Sequence, residues 1–189
     1  MCSSDLTFLA RKSCRRSTPK KPLYTGVITM EKITWLLPKL RAKAASAPHL
    51  QHLAFTPGEV FRWNYTACAI TYDAASAQAE SQLLHEFGHA LLNHRGYSRD
   101  VELLSMERAA WNEAERLALE FGIKIDTETI EEHLDTYRDW LHKRSLCPNC
   151  SATGIQTAQN TYRCIACLHT WRVNDAKTCQ LRRYRLPKP

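Results

Sequence analysis

The most informative stretch of this chain spans residues 83–92 and reads Leu83-Leu84-His85-Glu86-Phe87-Gly88-His89-Ala90-Leu91-Leu92. Its apolar residues predict a buried helix. On a helix, His85 and His89 share one face, one turn apart, and Glu86 lies beside that face. Gly88 is expected to leave room for the approach of a ligand between the two histidines. Two imidazoles and a carboxylate on a buried helix need a partner, because unpaired polar groups there cost several kcal/mol.

A metal ion is the partner that this pattern predicts. Both histidines can offer a ring nitrogen to one Zn²⁺ at roughly 2.0–2.1 Å. Glu86, beside the metal, can act as the general base that takes a proton from water, as His-Glu-x-x-His motifs do in metallopeptidases. The alternative is a chance occurrence of this short motif on a core helix. His94 lies nine residues after His85, and continued helical rotation predicts that it points away from His85, as a surface histidine or an outer contact.

A third ligand is expected on the next helix, predicted from about Ser98 to Phe121, because catalytic zinc usually takes three protein ligands and keeps one position for water. Its five glutamates are Glu102, Glu107, Glu113, Glu115 and Glu120. Helical periodicity places only Glu107 inside the apolar stripe of Leu103, Ala110, Ala114, Leu117, Ala118 and Phe121. A buried carboxylate needs a metal or an arginine. Glu107 is therefore the predicted ligand, with Glu113 as second candidate and an inward salt bridge of Glu107 as the alternative.

These residues resemble a known family. Leu84-His85-Glu86-Phe87-Gly88-His89-Ala90-Leu91-Leu92, followed by Glu107-Arg108-Ala109-Ala110, is similar to the ImmA/IrrE family of bacterial and phage metallopeptidases, over roughly residues 55–122. The resemblance implies a compact zincin-like fold with a small sheet beside the metal helix. It implies His85, His89 and Glu107 as ligands, Glu86 as base, and cleavage of a regulatory protein, often a DNA-binding repressor. After Glu-x-x-Ala the family usually has Asn or Asp, whereas this chain has Trp111.

A second resemblance is to SprT-like proteases, which join an HExxH helix to a C-terminal zinc ribbon and act on DNA-bound proteins. They use a third histidine downstream of the motif. This chain has no histidine between His94 and His133, so the SprT-like interpretation is kept as the alternative.

Two cysteine pairs near the C-terminus predict a second zinc site. Cys147 and Cys150 are followed after thirteen residues by Cys164 and Cys167, a spacing typical of a closed Cys₄ ribbon. Thr161-Tyr162-Arg163 and His169-Thr170-Trp171-Arg172-Val173 are expected to be its strands. His169 could replace Cys167, but four cysteines are the simpler set. Such pairs favour a reducing, cytoplasmic compartment over a secreted one.

Charge is unevenly distributed along the chain. Residues 1–29 carry a net +5, residues 30–141 a net −6 and residues 142–189 a net +8. Basic segments are candidates for phosphate contact. The C-terminal candidates, interleaved with Tyr162, Trp171 and Tyr184, are Arg163, Arg172, Arg182, Arg183 and Arg185. The alternative is a zinc ribbon with a purely structural role, whose positive charge serves only to keep it in solution.

The chain is predicted to have four parts: a disordered basic extension at 1–29, a metallopeptidase domain at 30–144, a Cys₄ zinc ribbon at 145–175 and a basic tail at 176–189. Met30 is an alternative start. A helix over 31–46 is expected to be interrupted at Pro38, and alternation over 60–65 and 68–72 predicts a β-hairpin. No run is long enough to span a bilayer. The fold class is therefore α+β: a mainly helical, zincin-like metallopeptidase domain with a small β-sheet, plus a C-terminal β zinc ribbon.

The predicted function is hydrolysis of a peptide bond by a zinc endopeptidase with one catalytic and one structural zinc. Its expected partners are a protein substrate, such as a DNA-binding regulator, and nucleic acid at the ribbon and tail. An extended substrate is expected along the edge strand near residues 60–65, with Tyr97 or Tyr72 as candidate oxyanion donors. The rival is a non-catalytic protein that keeps its metal and binds protein or nucleic acid.

Overall fold

The computed structural model describes residues 26–175 and 180–186, with side chains from residue 33 onward. The described residues form four helices and two small sheets, so the chain is an α+β protein. Its contacts divide it into two compact units. Unit 1 comprises Met1–Arg95 and Ala109–Ile125, and unit 2 comprises Gly96–Arg108 and Asp126–Pro189. The zincin-like assignment stays a prediction.

Unit 1 begins with helix α1, Gly26–Ala45, and a short 3-10 helix, Pro48–Leu50. The helix α1 starts inside the segment that was predicted to be disordered, while residues 1–25 lie outside the described part. The expected interruption at Pro38 is wrong, because Pro38 lies inside one continuous helix. A proline in a helix removes one hydrogen bond, but Ile33, Leu36, Leu40 and Ala44 are buried at helical spacing around it. Packing of this apolar face keeps the helix continuous despite the hydrogen bond that is missing at Pro38.

A three-stranded sheet in unit 1 has the order β1-β3-β2. Its strands are β1, Ala54–Pro57, β2, Arg62–Asn64, and β3, Ala69–Tyr72. The predicted hairpin is confirmed, since β2 and β3 pair antiparallel with Trp63 opposite Ile70. The parallel strand β1 was not predicted. With β1 and β3 paired in parallel, β2 is an edge strand, which leaves one side of it open to other partners.

Helix α2, Ala79–Leu91, carries the His-Glu-x-x-His motif and is buried from Gln82 to Ala90. The expected role of Gly88 is different in the structure. A Cβ on Gly88 would lie 2.5 Å from the backbone oxygen of Ala110. Gly88 is therefore required for close packing of α2 on the following helix, and this packing holds both motif histidines inside the unit.

Helix α3, Asp100–Phe121, contributes its first residues to unit 2 and its later residues to unit 1. It ends as predicted at Gly122, whose φ of +70° is the left-handed conformation that glycine adopts readily. All of its predicted apolar stripe is buried except Phe121, which is partly exposed; the buried members are Leu103, Ala110, Ala114, Leu117 and Ala118. The helical periodicity on which the choice of Glu107 depends is therefore correct.

Unit 2 contains helix α4, Thr127–Ser145, and a four-stranded antiparallel sheet. Asp126 caps α4 by accepting a hydrogen bond from the Glu128 N–H, as predicted. The strands are β4, Gly154–Ala158, β5, Thr161–Cys164, β6, Thr170–Val173, and β7, Arg183–Arg185. β5 and β6 were predicted, whereas β7 lies in the segment that was expected to be a basic tail.

A buried polar network ties this sheet to the helices of unit 2. Arg144 and Asp100 are 1% and 2% exposed and form an ion pair. The Tyr162 hydroxyl donates to Asp100, and the Trp171 indole N–H donates to the Arg144 carbonyl oxygen at 3.1 Å. Removing one partner of a buried pair leaves an uncompensated charge and is strongly destabilising. The ribbon is therefore fixed to α3 and α4 by more than its covalent link.

None of the helices in the described residues has the length and apolarity required to cross a bilayer. This agrees with the short apolar runs of the sequence.

Candidate metal centres

The two motif histidines face each other in unit 1. His85 and His89 are each 1% exposed, and their Nε2 atoms are 3.1 Å apart. Two imidazoles on one tetrahedral zinc, each at 2.0–2.1 Å, have nitrogens about 3.3 Å apart. The pair is therefore preorganised for one metal ion through the two Nε2 atoms.

Trp111, the residue at which the chain departs from the ImmA/IrrE pattern, supports His85. Its side chain is fully buried, and its ring centroid lies 4.3 Å from that of the His85 ring. Such stacking restricts rotation of the imidazole. The large aromatic residue therefore orients a candidate ligand.

His94 contacts His89, so of the two roles predicted for it the outer contact is confirmed. The direction predicted for it assumed a continuing helix, whereas α2 ends at Leu91. Asn93 adopts φ +54°, and the His94 N–H donates to the His89 carbonyl oxygen at 3.0 Å. This is a Schellman stop, which folds the chain back over the last turn. As a result, the Nδ1 atoms of His94 and His89 are 2.8 Å apart, and His94 takes the role of an outer contact.

The Nδ1 contact selects a tautomer for His89. One of two ring nitrogens at hydrogen-bond distance must carry the proton. If His89 binds a metal through Nε2, its Nδ1 carries the proton and donates to His94. Metal-binding histidines are commonly oriented in this way.

Glu86 is 5% exposed and accepts a hydrogen bond from the Trp63 backbone N–H, 2.6 Å from its Oε2. Trp63 lies at the centre of the edge strand β2. The bond fixes one carboxylate oxygen. It also occupies an N–H on the strand edge where an extended substrate was expected to pair.

Glu107 and Glu113 differ clearly in their surroundings. Glu107 is 1% exposed. The Glu113 side chain is 19% exposed and forms an ion pair with Arg116 one turn later, where the Arg116 Nε donates to it at 2.9 Å. The carboxylate of Glu113 is thus already held by a cation within its own helix. Of the two candidates, Glu107 has the burial expected of a metal ligand.

His133, on α4, is the residue that was not predicted as a ligand from the sequence. It is 5% exposed, and within unit 2 one of its ring nitrogens lies within 4.8 Å of a Glu107 carboxylate oxygen. Glu107 and His133 therefore offer two buried ligand atoms that could take part in holding a metal ion. The signal that could have revealed it is a histidine on an otherwise apolar helix face.

The two candidate oxyanion donors lie in different units. In unit 2, burial raises the pKa of Tyr97 to about 12, and the negative charge of Asp100 adds to this shift. Tyr97 therefore keeps its proton at neutral pH and can donate it in a hydrogen bond. Tyr72, in β3 of unit 1, is 7% exposed.

The four cysteines of the two pairs converge in unit 2, as predicted. Sγ–Sγ distances are 3.6 Å for Cys147–Cys167 and 3.5 Å for both Cys150–Cys164 and Cys150–Cys167. Four thiolates on one tetrahedral zinc at about 2.3 Å have sulfurs about 3.8 Å apart. The cluster therefore fits a Cys₄ metal site.

The two cysteine pairs form equivalent turns. Ser151 and Leu168, each directly after the second cysteine of its pair, both adopt φ +60°. Their N–H groups donate to the carbonyl oxygens of Cys147 and Cys164, at 2.9 and 3.1 Å. A left-handed leucine is uncommon, so this geometry is imposed by the site.

Backbone N–H groups favour the thiolate form of Cys167 in the ribbon. A hydrogen bond from the His169 backbone lowers the pKa of Cys167 to about 6, against desolvation. Asn149 likewise donates its N–H to the Cys147 sulfur at 3.4 Å. Because thiolates are the form that binds metal, the donors match a zinc site. The His169 ring instead stacks on Trp171, with centroids 6.4 Å apart.

The five C-terminal arginines are exposed but are not equivalent. Arg163 on β5 and Arg172 on β6 alternate with the buried Tyr162 and Trp171, so both point to the outer face of the sheet. Tyr184 on β7 pairs with Arg172. Arg183 donates to the carbonyl oxygen of Lys143. Arg182 and Arg185 complete the set.

Comparisons of this chain with protein-family models, curated proteins and solved structures returned no match. The resemblance to the ImmA/IrrE family therefore stays a prediction from the motif residues.

Proposed function

We propose that this chain is a zinc-dependent endopeptidase, with His85, His89 and Glu107 as ligands of a catalytic zinc and Glu86 as general base. The observation that carries the proposal is the buried pair of Nε2 atoms 3.1 Å apart, next to a buried, oriented carboxylate. If these polar groups were buried without a metal or another partner, they would destabilise the folded state.

The continuity of α3 supports Glu107 as the third ligand. Ala110 and Trp111 follow Glu107 by three and four residues, so all three lie on one face of the helix. Within unit 1, the backbone at Ala110 approaches Gly88 and Trp111 stacks on His85. Glu107 thus shares its helical face with the two residues of α3 that pack on α2 within unit 1.

The chemistry follows from these residues. A zinc ion supplies Lewis-acid chemistry, activating water and polarising a carbonyl group. Glu86 accepts a proton from the attacking water and returns it to the leaving amine. The Trp63 N–H holds the Glu86 Oε2 in place, so the carboxylate is oriented for this role. Tyr97 and Tyr72 stay the two candidate oxyanion donors.

The substrate proposed is a protein segment in an extended conformation. Its class follows the resemblance to ImmA/IrrE peptidases, which cut regulatory proteins. The open edge of β2 can pair with an added strand, although Trp63 contributes its N–H to Glu86 instead. The test is proteolysis of an unfolded protein by the zinc-loaded chain and by its Glu86→Gln variant, which should retain zinc and lose cleavage.

Replacing His94 with alanine is expected to weaken zinc binding at the catalytic site by roughly 10- to 100-fold, the usual effect of losing an outer contact to a ligand. The reason is that His89 loses the acceptor that keeps its proton on Nδ1. His94→Gln should restore part of the affinity through its amide oxygen. Competition with a zinc chelator measures the affinity, and His142→Ala, an exposed histidine of α4, is the matched control. Equal affinities for all variants would contradict the role of His94.

A second candidate is a metal site without catalysis. Because His133 lies beside Glu107 in unit 2, it could add a fourth protein ligand, and a zinc with four protein ligands is typical of structural sites. This candidate predicts zinc binding without proteolysis.

The ribbon is proposed to contact nucleic acid. Residues 142–189 carry nine Lys/Arg and one acid. Arg163, Arg172 and Tyr184 lie on the outer face of the sheet, where arginines can bind phosphates and a tyrosine can stack on a base. Such contact would bring the peptidase to proteins that are bound to DNA or RNA.

Arg163→Gln and Arg172→Gln together are expected to weaken binding to a fluorescent single-stranded oligonucleotide and to reduce the slope of log Kd against log salt by roughly 1–2. With each phosphate contact that is lost, fewer counterions leave the oligonucleotide when the protein binds. Arg138→Gln, which removes an arginine paired with Glu131 and Asp135 on α4, is the control for net charge. An unchanged slope in the double variant would rule out this surface.

A further inference from the structure

A small cavity of about 170 Å³ lies in unit 1 beside the proposed catalytic residues. Its lining comes from the end of α2, the β2–β3 hairpin and the 3-10 helix: His49, Trp63, Tyr65, Cys68, Asn93 and Arg95. Water occupies about 30 Å³ per molecule in the liquid, so the cavity has room for one amino-acid side chain. Typical cofactor and drug pockets are larger, about 300–1,000 Å³.

Trp63 links this cavity to the catalytic machinery. While its side chain lines the cavity, its backbone N–H donates to Glu86 at 2.6 Å. Its indole N–H donates to the His94 carbonyl oxygen at 2.9 Å. A side chain in the cavity would therefore belong to a residue close to the bond being hydrolysed.

The charge of the cavity selects its occupant. Arg95 and His49 are basic, and no acidic residue is among the lining side chains. The Arg95 guanidinium stacks on the Tyr65 ring, 4.3 Å from its centroid, and forms no ion pair with a described residue. A stacked guanidinium keeps the N–H groups at its edge available for a bidentate carboxylate contact.

His49 adds to this selection. Its Nε2 lies 3.1 Å from the Ala90 carbonyl oxygen, and since a carbonyl oxygen only accepts, Nε2 carries the proton. This bond fixes the ring against the end of α2. The Asn93 side chain adds an amide donor to the lining.

We propose that this cavity is a substrate subsite for an aspartate or glutamate side chain next to the scissile bond, with Arg95 as the residue that determines specificity. The inference rests on the proposed peptidase function, because it names the substrate class of that site. It does not depend on the ribbon.

The test uses the full-length zinc-loaded chain and a set of fluorogenic peptides that differ at one position, which carries Glu, Gln, Asp, Asn or Lys. Glu and Asp peptides should have kcat/KM values roughly 10- to 100-fold above those of their amide counterparts, because the charged contact is lost in the amides. Arg95→Ala should remove this preference, Arg95→Lys should keep part of it, and Arg95→Glu should favour the Lys peptide. Arg41→Ala, another arginine stacked on an aromatic ring of unit 1, Phe55, should behave as wild type.

The outcomes separate this proposal from the peptidase proposal. Cleavage with no preference for acidic residues, or a preference that survives in Arg95→Ala, overturns the subsite and leaves the peptidase intact. If no peptide is cleaved, fluorescence anisotropy of the same peptides decides. Tighter binding of the Glu peptide than of the Gln peptide, lost in Arg95→Ala, supports the subsite, and equal binding overturns it. Circular dichroism confirms that each variant is folded.

Discussion

Glu86→Gln is expected to lower the rate of proteolysis by roughly 10²- to 10⁴-fold, the usual contribution of a general base, without loss of zinc. Glutamine has nearly the same shape and keeps an oxygen that can accept the Trp63 N–H, which lies 2.6 Å from Glu86. It cannot take a proton from water. Cleavage of an unfolded protein and zinc content, both measured on the same preparation, check the two halves of this prediction.

Glu80→Gln is the matched control for this experiment. Glu80 lies on the first turn of α2, so the substitution makes the same chemical change on the same helix and should leave activity unaltered. Wild-type protein that holds its zinc and cleaves nothing would refute the peptidase and favour the closed, four-ligand site that includes His133. Equal cleavage by wild type and Glu86→Gln would assign the base to another residue.

Helical periodicity gave the most reliable predictions from this sequence. It placed Glu107 on the buried stripe of α3, where the side chain is 1% exposed. Alternation of apolar and polar residues identified the hairpin strands, and a glycine marked the end of α3 at Gly122. The cysteine spacing identified the four-sulfur cluster. In each case a local pattern of residues specifies the geometry, so one sequence is sufficient.

The predictions that failed depend on places where a local pattern is interrupted or completed by distant residues. The contact of His94 with His89 could not be derived from helical rotation of about 100° per residue, because that rotation no longer applies where Asn93 adopts a left-handed conformation. Pro38 was expected to break α1, but packing of the helix face overrides the lost hydrogen bond. Strand β1 pairs in parallel with β3. This is a long-range contact that no short sequence motif indicates.

The buried network of unit 2 could not be predicted for the same reason. Asp100, Arg144 and Tyr162 lie far apart in the sequence and form one connected set of hydrogen bonds. Within its own segment, each is an ordinary charged or aromatic residue, and no local pattern indicates its partners. The cysteine pattern predicts the ribbon itself. Nothing in the sequence of the two helices indicates that the ribbon is attached to them through this network.

Glu107→Gln is expected to reduce zinc content from about two ions per chain to about one, and to abolish cleavage, because three protein ligands usually hold a catalytic zinc. An amide oxygen carries no charge and is a weak ligand for zinc. Glu113→Gln should keep both ions, since Glu113 is already paired with Arg116. Metal analysis after dialysis, combined with thermal melts, measures these effects.

The pair of variants decides between the two acids that the sequence left open. Loss of zinc in Glu113→Gln, with retention in Glu107→Gln, would mean that Glu113 is the ligand and that its ion pair with Arg116 breaks when metal binds. Retention in both would point to His133 as the ligand that completes the site. The Cys₄ site supplies an internal reference, because its cysteines lie within unit 2 and should keep their ion in either variant. A drop to one ion therefore reports the histidine site alone.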